Sequence, residues 1–529
     1  MFTLALILIT IFPTVIVALF PLWKQYRLKR YFSVGTTFQI PGPEPHWLYG
    51  NSKELNRKDK HQVMLQWAEK YGPVYLMYDG TSPTVVVSDY QLIENITQRQ
   101  NDVFDGRLLT HFQPASDDIS NPLNNLMFSR KRDVEAVKKA AAPFFRMKNL
   151  QSSIPIIEGK VAKFEELYIG NRNHVTMDAR EPCQRLAMDT LCEIAFGIKL
   201  HLMDPSDNGH KQGLAIYKQS LATVNNGVVS NSKFDMLIGI FPMFQQFVRI
   251  LVHILMKFPA GPLAPLNALL GQIKQQTKVS NANNEGKENL LSRLCQFTNF
   301  EKNSEEKMTK NGCRMLTPDQ LTTNSVMFCL AGFETTSTAA SYAIHCLATH
   351  PEVQEKLYNE ISQKIGENEQ LSLENIDTLE YLNACCLEVC RLLPEGIYIV
   401  NRMVLEDTCL GGYEIRKDKI NQVLVDMFAV HHDKNHFGPV DTKQFYPDRF
   451  MPGYETYNRA KSSFLAFGLG PRTCPGKNFA MLELKVVLVK LLQKFQFQPP
   501  SVDTPKILPV KSHLVMVPDG PVPITFQRR

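Results

Sequence analysis

The chain has 529 residues, 44% of them hydrophobic and 21% charged, with a formal net charge of +6. This near-average composition supports a sizeable apolar core and excludes wholesale disorder, collagen-like repeats and coiled coils; basic residues scattered beyond the N-terminal region argue against a nucleic-acid partner. The 11 cysteines include no C-x-x-C pair, so they suit a reducing compartment better than a disulfide scaffold.

No charge occurs from Phe2 to Trp23. At about 1.5 Å per helical residue that stretch crosses roughly 30 Å of hydrocarbon, and Pro13 is tolerated in such a span. Lys24, Arg27, Lys29 and Arg30 follow at once, the reverse of a cleavable signal and an arrangement that leaves the rest of the chain in the cytosol. The sequence therefore predicts a single N-terminal transmembrane helix over 1–23 and a basic stop with a proline-rich hinge over 24–50. Ile40-Pro41-Gly42-Pro43-Glu44-Pro45 is the stiff part of that hinge. Residues 51–529 form the body.

The body reads as mainly α with a small β-sheet region. Short β-rich runs fall at Val74–Met77, Thr84–Val87, Tyr398–Val404 and Tyr413–Ile415. Helical periodicity marks Val134–Ala142, Pro182–Phe196, Pro318–Thr349 and Pro351–Ile365. Asn281–Lys310 is the most polar stretch and is expected to contain a surface loop before the next helix. Gln245, Arg249, His253 and Lys257 form one polar stripe in the apolar run Leu237–Phe258, predicting a helix that packs on the core or, as the second choice, lies in a membrane interface.

Four constellations carry chemistry. In Phe464–Ala480 (FLAFGLGPRTCPGKNFA), Gly468 and Gly470 predict a tight loop closed by Cys474, and Pro475-Gly476 opens a helix over Asn478–Phe495. A thiolate there is favoured by exposed helix N–H groups, and the glycines let backbone pass close to a flat ligand. The loop suits a soft metal bound by one sulfur; the competing reading is an inert buried thiol. In Ala331-Gly332-Phe333-Glu334-Thr335-Thr336, a mid-helix glycine costs about 1 kcal/mol relative to Ala and the buried acid costs more. Gly332 then admits a ligand while Glu334 and Thr335 relay protons; alternatively the Thr pair back-bonds to carbonyls one turn earlier and Glu334 is exposed. Glu388 and Arg391, three apart, share a helix face around Tyr381–Leu393. Val134–Phe145 places Lys138 four residues after Val134.

Phe467-x-x-Gly470-x-Arg472-x-Cys474-x-Gly476 resembles the haem-ligand signature of the cytochrome P-450 monooxygenases, a pattern expected by chance in roughly one chain in several thousand of this length. The other three constellations follow in family order, and the anchor and hinge resemble the membrane-anchored eukaryotic microsomal type. By this resemblance Cys474 is the axial ligand of haem b, within a cradle of Phe467, Gly468 and Gly476. Arg472, Arg402 and Lys138 contact its propionates, and Glu334 with Thr335 serves oxygen activation and proton delivery. Glu388 and Arg391 lock to Arg449, in Pro447-Asp448-Arg449-Phe450, as scaffold. The family's Trp is replaced by Val134, so Lys138 or a neighbour such as Arg132 takes over that side.

The resemblance implies insertion of one atom of O2 into a lipophilic substrate. Electrons come from NADPH-cytochrome P-450 reductase, with cytochrome b5 as an optional second donor, and the protein sits in the endoplasmic reticulum membrane with its catalytic domain in the cytosol. Specificity is expected in Phe104–Asn125, Gly213–Pro259, Glu395–Val400 and His513–Val517. Two alternatives stand beside this reading: a haem-thiolate isomerase or dehydratase, which has little use for Thr335, and a non-catalytic haem-binding membrane protein.

Overall fold

The computed structural model describes residues 21–57, 59–109, 125–225, 233–255, 267–282, 289–300, 314–366, 369–512 and 515–529. In chain order the elements that frame the site are β1 (Val74–Asp79), β2 (Ser82–Val87), β3 (Phe104–Asp105), α1 (Lys131–Phe144), β4 (His174–Asp178), α2 (Arg180–Phe196), α3 (His210–Asn225), α4 (Lys233–Ile240) and α5 (Gln245–Leu255). There follow α6 (Pro318–Thr349), α7 (Glu380–Leu392), β5 (Asn401–Val404), β6 (Gln422–Val425), α8 (Met427–His431), α9 (Lys477–Lys494), β7 (Phe495–Gln498) and β8 (Pro523–Arg528).

Helix α6 starts where the sequence caps it. Thr317 Oγ1 accepts the N–H of Gln320 at 3.2 Å, Gln320 Oε1 accepts the N–H of Thr317 at 3.0 Å, and Pro318 occupies the first turn. Those contacts satisfy N-terminal donors that a helix otherwise leaves orphaned. Nearly every residue from Phe333 to Ala348 is buried, so α6 runs through the helical core, packed chiefly on α2 and then on α9, β7 and α7. A helix apolar on all sides has to lie inside.

A second apolar cluster surrounds a five-stranded sheet of order β1-β2-β6-β5-β3, in which only β2 and β6 run parallel. Val85, Val87, Val423 and Val425 fill it, joined by Leu465 from the cysteine loop. β8 pairs with β4 and β7 in a three-stranded sheet that closes the C-terminus onto the helices. The strands β3, β4 and β6 to β8 were not expected from the sequence; most are short or only half-buried, so they carry little period-two signal.

The structure adds to the sequence reading in three places. The apolar run Leu237–Phe258 is not one helix packed on the core. Pro242 starts a separate turn between α4 and α5, and Leu237, Met243, Phe244, Phe247, Ile250 and Leu251 are exposed. The side chains of Arg249 and His253, and the whole of Lys257, lie outside the described residues. In the polar stretch Asn281–Lys310, residues 283–288 and 301–310 lie outside the described residues, and Leu290–Gln296 forms a buried helix capped by Asn289 and seated through Leu290, Leu291 and Leu294. Arg27 is not a solvated stop charge: it is 1% exposed. Its guanidinium donates to the carbonyls of Leu48 (2.7 Å), Trp47 (3.3 Å) and Ile240 at the end of α4 (3.0 Å), inside a ring of Trp23, Tyr31 and Phe241.

The end of α4 is pinned a second time. Gly239 O accepts both the N–H and the hydroxyl of Thr81 at 2.9 Å, and Gly80 approaches so closely that a Cβ on it would lie 2.3 Å from the Gly239 carbonyl carbon. Residues 1–20 of the expected anchor lie outside the described residues. Among the described residues no helix is long and apolar enough to cross a membrane.

Candidate functional site

The cysteine loop is built by two backbone hydrogen bonds and two left-handed glycines. Gly468 N–H donates to Leu465 O at 2.7 Å and Cys474 N–H donates to Phe467 O at 2.8 Å, closing the loop on itself. Gly468 and Gly470 both have φ of 73°, a conformation costly for side chains with a Cβ. At Gly470 there is a second reason: a Cβ would lie 2.1 Å from Thr97 O.

Cys474 keeps accessible surface although protein surrounds it on most sides. Burial pushes its thiol pKa up, while the backbone N–H groups of Gly476 and Lys477, together with the charges of Arg107 and Lys477, draw it back. Amide donors aimed at the sulfur and positive charge beside it favour the thiolate, the form in which a cysteine ligates a metal. The nearby amide of Asn478 donates to Phe145 O at 2.9 Å, tying the start of α9 to the end of α1.

Beside this loop the chain collects four cations. Arg472 reaches Asp105 on β3 at 3.2 Å and donates to the carbonyls of Leu126 (3.2 Å) and Ser129. Lys138 on α1 donates to Pro471 O at 2.6 Å. Arg402 on β5 is buried and donates to Asn401 O at 2.7 Å. The fourth, Arg107, donates to Met127 O (3.2 Å) and Arg472 O (3.4 Å). Arg107 carries no motif that would mark it: a lone arginine two residues after a two-residue strand has no pattern, and the pairing of β3 with β5 brings it here.

Burial lowers Lys138 to about 8 and Arg402 to about 10, with the neighbouring guanidiniums adding to both shifts and Asp105 opposing them. Four cations around Asp105, with Arg472 Nε buried and lacking a hydrogen-bond partner, make a cluster that fits a ligand bearing two carboxylates. Buried guanidiniums are costly until so matched. The side chains of Val134 and Arg132 lie outside the described residues.

On α6, Glu334 is buried and turned toward α2 and α3. Gln184 Nε2 donates to Glu334 Oε2 at 2.9 Å, Tyr217 Oη donates to Gln184 Oε1 at 2.9 Å, and Arg180 lies 3.6 Å from Glu334 Oε1. Burial raises the carboxyl pKa, and Arg180 and Gln184 hold it partly down. Thr335 Oγ1 donates to Ala331 O at 2.8 Å, one turn earlier. Gly332 is half-buried, and a Cβ there would lie 2.7 Å from Leu191 Cδ2, so the glycine also serves the close packing of α6 on α2.

Behind the loop, Glu388, Arg391 and Arg449 are all fully buried. Glu388 accepts Arg391 Nε at 2.7 Å and Nη2 at 2.9 Å, Arg449 Nε at 2.9 Å and the Tyr446 N–H at 3.0 Å. The surplus positive charge is spread over carbonyls: Arg391 Nη1 donates to His431 O at 2.7 Å, and Arg449 donates to Phe437 O and Asp441 O.

A mainly helical fold that presents one amide-supported cysteine beside a cluster of buried cations defines a haem-thiolate protein. The sequence matches the Cytochrome P450 family over residues 40–526, and the chain belongs to that family. It is similar to the putative cytochrome P450 CYP13A7 of Caenorhabditis elegans, 30% identical over 84% of this chain and 85% of that protein. It is also similar to cytochrome P450 3A41 of Mus musculus, 26% identical over 87% and 86%, and to cytochrome P450 3A6 of Oryctolagus cuniculus, 27% identical over 87% and 86%. The protein is accordingly a monooxygenase that binds haem b through a cysteine thiolate and uses O2 with electrons from a redox partner.

Proposed function

We propose that Cys474 is the thiolate that holds the haem iron and that the protein oxidises a lipophilic substrate on the cytosolic face of a membrane. The observation that carries this reading is the coincidence of an amide-supported Cys474 with the buried Arg472, Arg402 and Arg107 and the half-buried Lys138. When bound, haem supplies the activation of O2. Cys474 supplies electron density from its sulfur, tempered by the Gly476 and Lys477 amides. The four cations hold carboxylates and shed their desolvation penalty in doing so. Thr335 holds a proton at Oγ1, and Glu334, whose raised pKa brings its proton closer to neutral pH, exchanges one at its carboxyl. Phe467, Gly468 and Gly476 shape the cradle, and Glu388, Arg391 and Arg449 keep it rigid.

The electron donor is NADPH-cytochrome P-450 reductase, with cytochrome b5 as an optional second donor. Residues 1–23 anchor the chain in the endoplasmic reticulum membrane, residues 24–50 join anchor to body, and 51–529 form the catalytic domain. Support for membrane contact comes from the exposed apolar side chains of residues 22–28 and of α4 and α5, which Arg27 ties into one face. Such a patch on a protein surface marks a docking site, and an uncharged stretch leads directly into it.

The test is the carbon monoxide difference spectrum of the reduced protein beside Cys474→Ser. A strongly red-shifted Soret band, lost in the variant, is expected. An unshifted band in folded wild type would refute the assignment of Cys474.

A further inference from the structure

Between the Glu388 cluster and the cysteine loop stands one fully buried imidazole, His431, at the end of α8. Its two ring nitrogens face groups whose roles are fixed. Nδ1 lies 3.0 Å from the Arg391 carbonyl, which can only accept, and Nε2 lies 2.9 Å from the Leu465 N–H, which can only donate. The ring is therefore neutral with its proton on Nδ1. The bond to Arg391 is returned, since Arg391 Nη1 donates to the His431 carbonyl at 2.7 Å. The imidazole also lies parallel to Phe464 (centroids 5.7 Å apart, 10° between planes) and meets Phe437 edge-on.

The far side of this bridge is the first turn of the loop. Leu465 receives the imidazole through its N–H and, through its carbonyl, accepts Gly468 N–H at 2.7 Å. Two residues on, Phe467 O accepts the Cys474 N–H. An unbroken path of buried hydrogen bonds thus runs from Glu388 through Arg391 and His431 to Leu465, and by the loop backbone to Cys474. The other three members of the path are charged side chains or main chain; His431 alone joins the two bodies by a side chain that must donate at one end and accept at the other.

We propose that His431 is a positioning residue for the Cys474 loop: its neutral, Nδ1-protonated imidazole fixes Leu465 against the Arg391 carbonyl and so sets the height of the sulfur. This rests on the reading of Cys474 as the axial ligand. The ring does not touch substrate or cofactor; it acts through Leu465. The acceptor at Nε2 is the half of the bridge that reaches the loop, and the donor at Nδ1 only anchors the ring.

Three variants separate these halves. His431→Phe keeps the stack on Phe464 and loses both bonds. His431→Gln carries an amide oxygen at the distance of Nε2 and restores the acceptor for Leu465. His431→Asn carries an amide nitrogen near Nδ1 and restores only the donor to Arg391. At equal haem content, the ratio of red-shifted to unshifted carbon monoxide complex is expected to fall about tenfold in Phe and Asn, the size of one buried donor left unpaired, and to recover in Gln. A wild-type ratio in Phe, or rescue by Asn but not Gln, overturns the proposal. A second measurement needs no variant to fold well. In the diamagnetic reduced carbon monoxide complex with 15N-labelled histidine, the His431 ring must show the neutral Nδ1–H pattern; an Nε2–H or doubly protonated ring overturns it. Absence of any red-shifted band in wild type defeats the Cys474 reading instead, and leaves the histidine tautomer to be judged by its own spectrum.

Discussion

Replacing Glu388 with Gln preserves shape and removes one charge from a site with no solvent. Glu388, Arg391 and Arg449 have no exposed side-chain surface. The carboxylate accepts four hydrogen bonds between 2.7 and 3.0 Å, three of them from guanidiniums. In the variant two buried guanidiniums face an amide whose NH2 is itself a donor, so at least one contact becomes donor against donor. Breaking a buried ion pair by removing one partner costs about 3–5 kcal/mol, a large share of the roughly 5–15 kcal/mol that holds a domain together.

The natural control lies on the surface: Glu135 and Lys139 on α1 are 2.9 Å apart with half-exposed side chains, and Glu135→Gln should change stability by no more than about 0.5 kcal/mol. Urea titration of the haem-loaded proteins, followed by the Soret band and by circular dichroism, measures both. If the two substitutions cost the same, the buried triad is not carrying the load assigned to it, and the physical reasoning about uncompensated charge fails here.

Gly468 and Gly470 share the same φ but not the same surroundings, so Gly468→Ala, with nothing nearer than 3.9 Å, should cost about 1–2 kcal/mol while Gly470→Ala, driven into Thr97 O, should largely abolish haem retention; haem content after gel filtration distinguishes them. Asp426, which caps α8 through the Ala429 N–H at 3.0 Å, is buried and its pKa is raised by that burial to about 6. A carboxyl whose folded pKa lies above its unfolded value contributes stability that is complete below about pH 4 and is lost as pH rises through 6. Asp426→Asn should therefore match or exceed wild-type melting temperature at pH 8 and lose that advantage by pH 5; a variant less stable at pH 8 than at pH 5, relative to wild type, contradicts the sign. Phe247→Asp with Ile250→Asp on α5 should leave melting unchanged, because both side chains are exposed, yet weaken binding of the chain lacking residues 1–20 to phospholipid vesicles by tenfold or more; flotation unaffected by the pair would remove this face from the membrane contact.

The cysteine loop was legible because its residues are local: glycines, arginine, cysteine and the following helix sit within one short stretch, and the chemistry of each depends on its immediate neighbours. Helix α6 was legible to its ends through its periodicity, and the cap at Thr317 was not read. The pairing of Glu388 with Arg391 followed from helical spacing, but its burial did not, since spacing alone predicts an exposed pair. Arg107 was invisible because its place depends on β3 crossing to β5, a contact between residues nearly three hundred apart. The contact of Gly332 with Leu191 was not legible, because a glycine that admits a neighbouring leucine and one that admits a ligand look the same in sequence. Arg27 misled for the converse reason: a cluster of basic residues after an apolar stretch is usually solvated, and only the carbonyls of Trp47, Leu48 and Ile240 reveal that one of them is used as a structural plug.

That plug decides where the protein can be cut. Shortening the chain at the proline spacer, to free it from lipid, would also withdraw Arg27 from the end of α4 and leave three carbonyls without their donor and the Phe241 ring uncovered. Among the described residues Thr81 would then be left to hold the carbonyl end of α4, and the apolar helices that follow it would gain freedom to stick to one another. A start at Pro21 keeps the seat intact, whereas a start at Pro41 is expected to give a protein that aggregates more as it becomes less membrane-bound. Attachment and solubility are opposed quantities in most anchored enzymes; here the first residues past the uncharged stretch are seated against the folded body, and trimming them trades one insoluble surface for another.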